Sequence, residues 1–352
     1  MSPQDLPPVD HVKLHDLVIR LFSAAGLSDE HSTIMGDTLV ASDLRGVFTH
    51  GSDFAPAYLQ RLSSGVDQHG QPRAVRDTGA GFLVDANNCL GHIAAVYSMR
   101  LAMDRALETG IAAAAVRGSN HCGAMAYYPM MALERDMIGL ATTNAMADMP
   151  PWGGLEPLMG SNPLAATVPA ARVRPLVLDV AFQQSFPIKI RQKVERGEPI
   201  PDDWAVDPEG NPTTDPERAL AGWGAPVGKY RGIGIALILG SLASFLPGAA
   251  FGWQLGSQEA GPTPGIDGHF FMAVNVAAFD DVDAFKGRVD EVVERLKASP
   301  RAADVDRIMM PGERAFETTE TYKRDGIPLA QSTRENLVKE AARLKVDPSP
   351  LA

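Results

Sequence analysis

The stretch Leu44-Arg45-Gly46-Val47-Phe48-Thr49-His50-Gly51-Ser52-Asp53 closes a helical N-terminal segment and places one histidine between a hydroxyl and a glycine. A second histidine lies in Gly118-Ser119-Asn120-His121-Cys122-Gly123, just after an apolar run that begins at Ile111. Loops that follow buried strands often carry active-site groups, because the sheet positions them while they stay accessible. We predict that the two loops face one pocket in which His50 transfers a proton. Either histidine taken alone is also typical of an ordinary turn.

The composition is that of a globular protein with a hydrophobic core. Of its 352 residues, 45% are hydrophobic and 21% are charged. The net charge of −11 argues against a nucleic-acid partner, which would attract a basic surface. A small anionic substrate remains compatible, because one or two arginines can dominate a pocket. The two cysteines favour a reduced, cytoplasmic protein. No signal peptide is indicated, and the apolar run at 233–246 is too short for a membrane span.

The apolar spacing predicts an α/β chain with helices at both ends. Helices are predicted over 12–25, 28–44, 91–109, 126–136, 188–196, 232–245 and 282–296, with a shorter one that ends near Gly65. Strands are predicted over 82–85, 111–116, 139–144, 176–181 and 270–274. The helix over 232–245 is the most hydrophobic and favours close packing, including at a subunit contact. The loops at 150–154 and 160–163 are rich in glycine and proline, which lets backbone amides approach a ligand.

The common motifs for cofactors, metals and nucleophiles are absent. No Gly-x-Gly-x-x-Gly turn follows a predicted strand, so the usual dinucleotide fingerprint is missing. The sequence also lacks a Walker loop, Cys-x-x-Cys, His-Glu-x-x-His and Gly-x-Ser-x-Gly. We therefore predict no metal site, and motif analysis ends at the histidine and glycine-rich loops.

An ordered series of short motifs nevertheless runs over nearly the whole chain, beginning with Arg45-Gly46-x-x-Thr49-His50-Gly51. The series continues with Asn120-His121-x-Gly123, Pro151-Trp152-Gly153-Gly154, Gly160-x-Asn162-Pro163, Leu178-Asp179-x-Ala181, Ile200-Pro201-x-x-Trp204-Ala205-x-Asp207, Pro212-Thr213-Thr214-Asp215-Pro216 and Pro311-Gly312-Glu313. In register, it resembles the type-2 malate/L-lactate dehydrogenase family, whose signature at the first motif is Arg-Gly-x-x-Ser-His-Gly. Members of that family include ureidoglycolate, sulfolactate and diketogulonate oxidoreductases and reductases of cyclic imino acids. Each piece is weak alone, but the order makes the series specific.

The resemblance implies a fold, a cofactor and an assembly. The fold is a non-Rossmann α/β fold with a mixed sheet, in which the helical N- and C-terminal segments pack together. The cofactor is NAD or NADP, with NAD slightly favoured, and the assembly is a homodimer. We expect residues 1–120 and 278–352 to form a discontinuous helical lobe for substrate and dimerisation, and residues 121–277 to form the cofactor-binding domain.

The resemblance also implies roles for individual residues. His50 is the proton donor or acceptor, assisted by Thr49, which replaces the usual serine, and by His121. Arg45 and Asn144 are expected to contact the substrate, although Arg45 fits a structural role as anchor of its turn even better. The predicted cofactor contacts are His121, Gly123, Trp152, Gly153, Gly154, Asn162, Pro163, Asp179, Val180, Ala181, Arg231, Gly232, Pro311, Gly312 and Glu313. Trp152 is better explained as an anchor that packs its loop on the core than as a stacking platform.

Several positions depart from the family pattern where the dinucleotide is held. Phe182-Gln183 replaces Thr-Ser, Pro187-Ile188 replaces Arg-Gly, Arg231 replaces a lysine, and Gly240 replaces an acidic residue. Three explanations compete. The dinucleotide binds with changed contacts, which we favour; the preference between NAD and NADP has shifted; or cofactor binding has been lost. The last would leave a non-redox lyase or isomerase, or a ligand-binding protein.

The predicted function is that of an NAD(P)-dependent oxidoreductase. It moves a hydride between nicotinamide and a small 2-oxo acid/2-hydroxy acid pair or a cyclic imino acid. Hydride transfer to a carbonyl or imine requires a nearby acid, and histidine suits this because its ordinary pKa of about 6.5 lies near neutrality.

Overall fold

The computed structural model describes residues 6–257 and 261–351. The helices within these ranges are α1 (His11–Ala24), α2 (Asp29–Leu44), α3 (Ala55–Leu62), α4 (Gly91–Thr109), α5 (Tyr127–Met131), α6 (Pro187–Arg196), α7 (Pro216–Ala221), α8 (Tyr230–Gly240), α9 (Val282–Lys297), α10 (Glu313–Asp325) and α11 (Gln331–Leu344). The strands are β1 (Arg73–Asp77), β2 (Gly81–Asp85), β3 (Ile111–Ser119), β4 (Met137–Thr143), β5 (Leu164–Val168), β6 (Leu176–Val180), β7 (Ala205–Val206), β8 (Trp223–Gly224), β9 (Gly256–Ser257), β10 (Gly261–Pro262) and β11 (Asp267–Asn275).

A seven-stranded sheet in the order β1-β2-β3-β11-β4-β5-β6 forms the centre of the fold. Within this sheet only β2 and β3 pair in parallel, and all the other neighbouring strands pair antiparallel. The predicted mixed sheet is therefore confirmed. The sheet takes β1–β3 from the first predicted lobe and its remaining strands from the second. The division of the chain into two lobes stays a prediction.

The two ends of the chain pack together, as predicted. Val9 and Ile327 exchange backbone hydrogen bonds of 2.9 and 2.8 Å. The Arg334 guanidinium on α11 donates to the carbonyl of Leu351 at 3.1 Å and to that of Pro7. The apolar face of α1 is completely buried in the same core as Leu337 and Ala341 of α11. The terminal helices thus share one hydrophobic core with the sheet.

The structure differs from the predicted elements where the sequence lacks an amphipathic pattern. All five residues of β1 are exposed, so no alternation marked it as a strand. The predicted helix over 126–136 ends early, because α5 tightens into a 3₁₀ turn over Ala132–Arg135 before β4 begins. The predicted helix over 232–245 ends at Gly240 and continues as a π-helical turn over Ser241–Phe245. The turn-rich segment after α6 contains the short β7.

The sheet brings distant parts of the chain to one edge. In the register of β11 against β3, Asp267 lies opposite Ser119, two residues before His121. The first residue of α4 packs against the same loop, since a Cβ on Gly91 would lie 1.9 Å from the carbonyl oxygen of Asn120. Within the described ranges, no helix has the length and apolar character required to cross a membrane.

Candidate active site

A buried carboxylate, that of Asp43, fixes the turn that carries His50. Asp43, near the end of α2, accepts a hydrogen bond of 2.9 Å from the amide of Ser52. Gly51 lies so close to this carboxylate that a Cβ would be 1.9 Å from Asp43 Oδ1. Burial raises the pKa of Asp43 to about 7, against the lowering effect of the Ser52 amide. The glycine that follows the histidine is thus required by packing.

The structure brings His50 and His121 together, although 70 residues separate them in sequence. Their rings stack with centroids 5.7 Å apart and an angle of 29° between the planes. The Thr49 hydroxyl lies 3.0 Å from His50 Nδ1, and the Tyr58 hydroxyl lies 2.7 Å from His121 Nδ1. Each imidazole therefore has one nitrogen engaged by a hydroxyl.

Both imidazoles are half-buried, and we refer to the space that they border as the histidine cleft. Each remains partly accessible to solvent, yet enough protein surrounds them that burial lowers the pKa of His50 and lowers that of His121 well below its usual range. The charge of Arg61, and that of His50 when it is protonated, lower the pKa of His121 further. Adjacent imidazoles that are both desolvated cannot readily both be protonated. The pair is thus suited to carry at most one positive charge.

Sequence analysis missed three residues that complete this cleft. Phe54 lies 5.5 Å from the His121 ring, and Arg61 lies over the rings of Phe54 and Tyr58 at 5.8 and 5.6 Å. The i, i+4, i+7 spacing of Phe54, Tyr58 and Arg61 was the available signal, because residues so spaced share one helical face. This face points at the histidine pair.

Asp267 is a further missed group, and no sequence signal revealed it. Burial raises the pKa of its carboxyl to about 7, against the lowering effect of the Arg61 charge. It reaches the cleft only through the register of β11 against β3, which a single sequence does not contain.

Arg45 and Asp179 face each other at the end of β6. The Asp179 carboxylate accepts a hydrogen bond of 3.0 Å from the amide of Ala126. Solvent reaches the residue, but the protein around it raises the pKa of the carboxyl to about 6, against the Ala126 amide and the charge of Arg45. Such a group lies on a cleft wall. The Arg45 guanidinium also lies 5.6 Å from the centre of the Phe316 ring, which is compatible with a role as anchor of its turn.

The predicted asparagines are engaged by the backbone. Asn144 donates to the carbonyl of Ala250 at 2.8 Å and accepts from the amide of Gly268 at 3.2 Å. Asn162 likewise accepts a hydrogen bond from the amide of Ala145 at 3.1 Å and donates one to the carbonyl of Ala236 at 2.9 Å. Both side chains are buried. They position the loops, and their contacts with substrate or cofactor stay predictions.

Contacts locate some of the other predicted cofactor residues, beside His92 and along β6. Gly123 packs on His92, since a Cβ would lie 2.6 Å from His92 Nε2. The Pro311 carbonyl accepts a hydrogen bond of 3.0 Å from the amide of Val177, which places the 311–313 turn beside β6. Pro311 and Glu313 line a cavity of about 210 Å³. The remaining predicted contacts are Trp152, Gly153 and Arg231, which are exposed; Gly154, Pro163, Val180, Ala181 and Gly312, which are half-buried; and Gly232, which is buried.

Glu313 already has protein partners. Its carboxylate accepts a hydrogen bond of 3.0 Å from the amide of Met310 and pairs with Lys297. These contacts hold the turn before α10, so a direct contact between Glu313 and a cofactor stays a prediction.

Phe182, which departs from the family pattern, does not fill the histidine cleft. Phe182 is buried in a separate apolar cluster with Met149, Ala236 and Phe251. The Phe182 carbonyl accepts a hydrogen bond of 2.9 Å from the amide of Val227, and the amide of Gln184 donates one of 2.8 Å to the carbonyl of Ala225. This pairing is antiparallel, so α6 and α8 begin beyond its opposite ends. The substituted aromatic ring therefore packs beside the segment that leads into α6.

Comparison with known proteins places this geometry in a family. Residues 9–338 match the family model described as malate/L-lactate dehydrogenase. The chain belongs to the malate/L-lactate dehydrogenase family. The malate dehydrogenase of Pyrococcus horikoshii is 33% identical over 344 residues, covering 95% of each chain. The solved sulfolactate dehydrogenase of Methanocaldococcus jannaschii superimposes with a TM-score of 0.92 at 30% identity, covering 97% of this chain and 98% of the other.

Relatives within the malate/L-lactate dehydrogenase family use both nicotinamide cofactors. The (2R)-3-sulfolactate dehydrogenase (NADP(+)) of Chromohalobacter salexigens is 34% identical and covers 75% of this chain and 80% of its own. The ureidoglycolate dehydrogenase (NAD(+)) of Escherichia coli K12 is 28% identical, and the match covers 93% of this chain and 94% of that protein. The predicted family and the predicted class of NAD(P)-dependent oxidoreductase are confirmed. The preference between NAD and NADP is not resolved by these relatives.

Proposed function

We propose that this protein reversibly reduces a small 2-oxo acid to a 2-hydroxy acid, or a cyclic imino acid to its amine, with His50 as the proton donor or acceptor. The observation that carries the proposal is the stacked His50–His121 pair in a cleft with Arg61. The names of the malate and sulfolactate dehydrogenases among its relatives support a small anionic substrate. We place the enzyme in the cytoplasm.

The beginnings of α6 and α8 fit the anionic part of a dinucleotide. Neither helix has a side-chain N-cap, and helix N-termini attract anions. Lys189 and Arg231 stand exposed in the first turns. The buried Ser185 hydroxyl, just before α6, has no hydrogen-bond partner among the described residues. We infer that Ser185, Lys189 and the beginning of α6 hold the pyrophosphate, while Arg231 at the beginning of α8, the 311–313 turn and Asp179 contact the other parts of the dinucleotide.

A bound nicotinamide would supply or accept the hydride. The protein's own task is to move the proton. His50, neutral because burial lowers its pKa, accepts the proton of a substrate hydroxyl during oxidation. Thr49 holds the ring through Nδ1, so Nε2 is the nitrogen left to face the substrate. The cleft walls exclude water and fix the distance of proton transfer.

Arg61 is our candidate for the anchor of the substrate carboxylate. No carboxylate of the described residues lies within 4.0 Å of its guanidinium, which contacts two aromatic rings instead. A planar guanidinium binds a carboxylate through two parallel hydrogen bonds. Arg45 is the alternative, because its guanidinium likewise acts on a carboxyl, that of Asp179, only through its charge, as Arg61 does on Asp267.

Substituting Arg61→Gln should raise KM for the anionic substrate about 30-fold, as expected for loss of hydrogen bonds to a charged group. The Kd of the dinucleotide should not change. Arg45→Gln is the matched control, and initial-rate kinetics measure both variants. A larger effect on KM from Arg45→Gln would reassign the anchor to Arg45.

The exposed apolar side of α8 and its π-helical extension supports a homodimer. Ile238, Phe245 and Leu246 are each more than half exposed, at 64%, 58% and 59%, as is Trp253 at 57%. Large exposed apolar patches on soluble proteins often mark protein contacts. Sedimentation velocity would test this proposal, and a monomer at micromolar concentration would contradict it.

Dinucleotide binding tests the proposed function directly. Titrating the protein with NADH and with NADPH should enhance nicotinamide fluorescence for at least one of them, and a 2-oxo acid should then oxidise the bound cofactor. Binding of neither at millimolar concentration would reject the redox function and leave the non-redox interpretation.

A further inference from the structure

Tyr58 is completely buried, and its hydroxyl has one hydrogen-bond partner among the described residues, Nδ1 of His121 at 2.7 Å. Its ring is fixed on two sides, edge-on against His92 at 4.7 Å and tilted against Phe54 at 5.1 Å. The hydroxyl therefore has a single orientation available and one acceptor.

The direction of this hydrogen bond follows from the surroundings. Burial raises the pKa of Tyr58 well above its usual range, so the phenol keeps its proton. A buried hydroxyl that fails to donate loses the hydrogen bond that it would make in water. The proton of Tyr58 must therefore point at Nδ1, which then acts as the acceptor.

The other nitrogen of His121 has a different setting. Nε2 has no protein hydrogen-bond partner among the described residues and is not among their fully buried unpaired atoms, so it opens toward the cleft. A neutral imidazole carries one proton. If Nδ1 accepts, that proton resides on Nε2.

We infer that Tyr58 is a positioning residue that fixes His121 as the Nε2–H tautomer, so that His121 donates a hydrogen bond to the substrate oxygen or nitrogen while His50 exchanges the proton. This division of roles rests on the proposed function. The tautomer itself does not, because it is a property of the protein before any substrate binds.

The two histidines thus differ because of their partners. The Thr49 hydroxyl beside His50 is exposed and can rotate to donate or accept, so it permits either protonation state of His50. The buried Tyr58 hydroxyl cannot rotate in this way, and it stabilises one form of His121. A group that exchanges protons requires the first kind of partner, and a permanent donor requires the second.

Tyr58→Phe removes the hydroxyl and keeps the ring, so it tests the inference with little change in packing. In ¹⁵N-histidine-labelled protein, long-range ¹H–¹⁵N spectra should show Nε2–H for His121 in the wild type and a mixture of tautomers in Tyr58→Phe. The signal is assigned by its loss in His121→Gln. We expect kcat to fall about tenfold, the equivalent of one neutral hydrogen bond.

Tyr128→Phe is the matched control for the spectrum. Tyr128 is equally buried, and its hydroxyl donates to the carbonyl of Cys122, beside His121 but not to its ring. This variant should keep the wild-type tautomer. A purely structural role for Tyr58 would give the same result in both variants.

Two outcomes overturn the inference: a wild-type His121 with its proton on Nδ1, or a tautomer that Tyr58→Phe leaves unchanged. The wild-type spectrum decides the first even if Tyr58→Phe does not fold. A protein that shows the expected tautomers but binds no dinucleotide would contradict the proposed function alone.

Discussion

Replacing His50 with alanine is expected to lower kcat by about 10³-fold, the usual contribution of a positioned general acid or base. The dinucleotide Kd should stay within about twofold, because the binding groups proposed for the cofactor lie at α6, α8 and β6. Steady-state kinetics and fluorescence titration measure the two effects. His69→Ala is the control, since His69 is an exposed turn residue and its loss should change neither quantity.

The pH dependence gives a second check on His50. Burial lowers the pKa of His50 from its ordinary value of 6.5. Reduction requires protonated His50, so its kcat/KM should fall as the pH rises through this lowered value. Oxidation requires the neutral His50 ring, so kcat/KM for oxidation should rise as the pH rises through the same value. Turnover of His50→Ala near the wild-type level, with both pH profiles retained, would assign proton transfer to His121 or to water.

Replacing Gly91 with alanine is expected to destabilise the protein by about 3 kcal/mol, the upper range for an inserted methyl that a packed core cannot absorb. The added Cβ would lie 1.9 Å from the carbonyl oxygen of Asn120 and 2.6 Å from that of His121. These are backbone atoms, so relief requires the whole histidine loop to shift. Turnover should therefore fall together with the free energy of unfolding measured in denaturant.

Gly234→Ala is the matched control for this substitution. A Cβ on Gly234, within α8, meets no atom within 4 Å. Alanine is the better helix former, by about 1 kcal/mol, so this variant should be as stable as the wild type or more stable. Equal stability of the Gly91 and Gly234 variants would show that α4 does not support the histidine loop as described.

Sequence analysis was most successful where a chemical group lies within a local pattern. The helix predicted over 28–44 is one example: Ser28 precedes two acidic residues, as is typical of an N-cap, and its hydroxyl accepts a hydrogen bond of 3.2 Å from the amide of His31 at the start of α2. The ordered motifs likewise identified His50 and His121, since each motif is a turn defined by its own residues. Local chemistry of this kind is visible in a single sequence.

What the sequence did not reveal depends on strand register or on burial. Asp267 enters the cleft only because β11 inserts between β3 and β4. β1 has no buried face, so no apolar alternation was available to predict it. The sequence also does not reveal that the buried Asn144 amide contacts two backbone groups from distant segments, those of Ala250 and Gly268. The hydrogen-bond partners of a buried polar side chain depend on the tertiary structure, which the local sequence does not show.

The place of β11 in the sheet has a consequence for synthesis. This strand lies between β3 and β4, yet in the chain it follows every other strand of the sheet among the described residues. Until it is synthesised, β3 and β4 expose apolar, unpaired edges to other nascent chains, a recognised route to aggregation. A chain released before residue 267 would therefore lack the middle of its sheet and would keep both edges exposed.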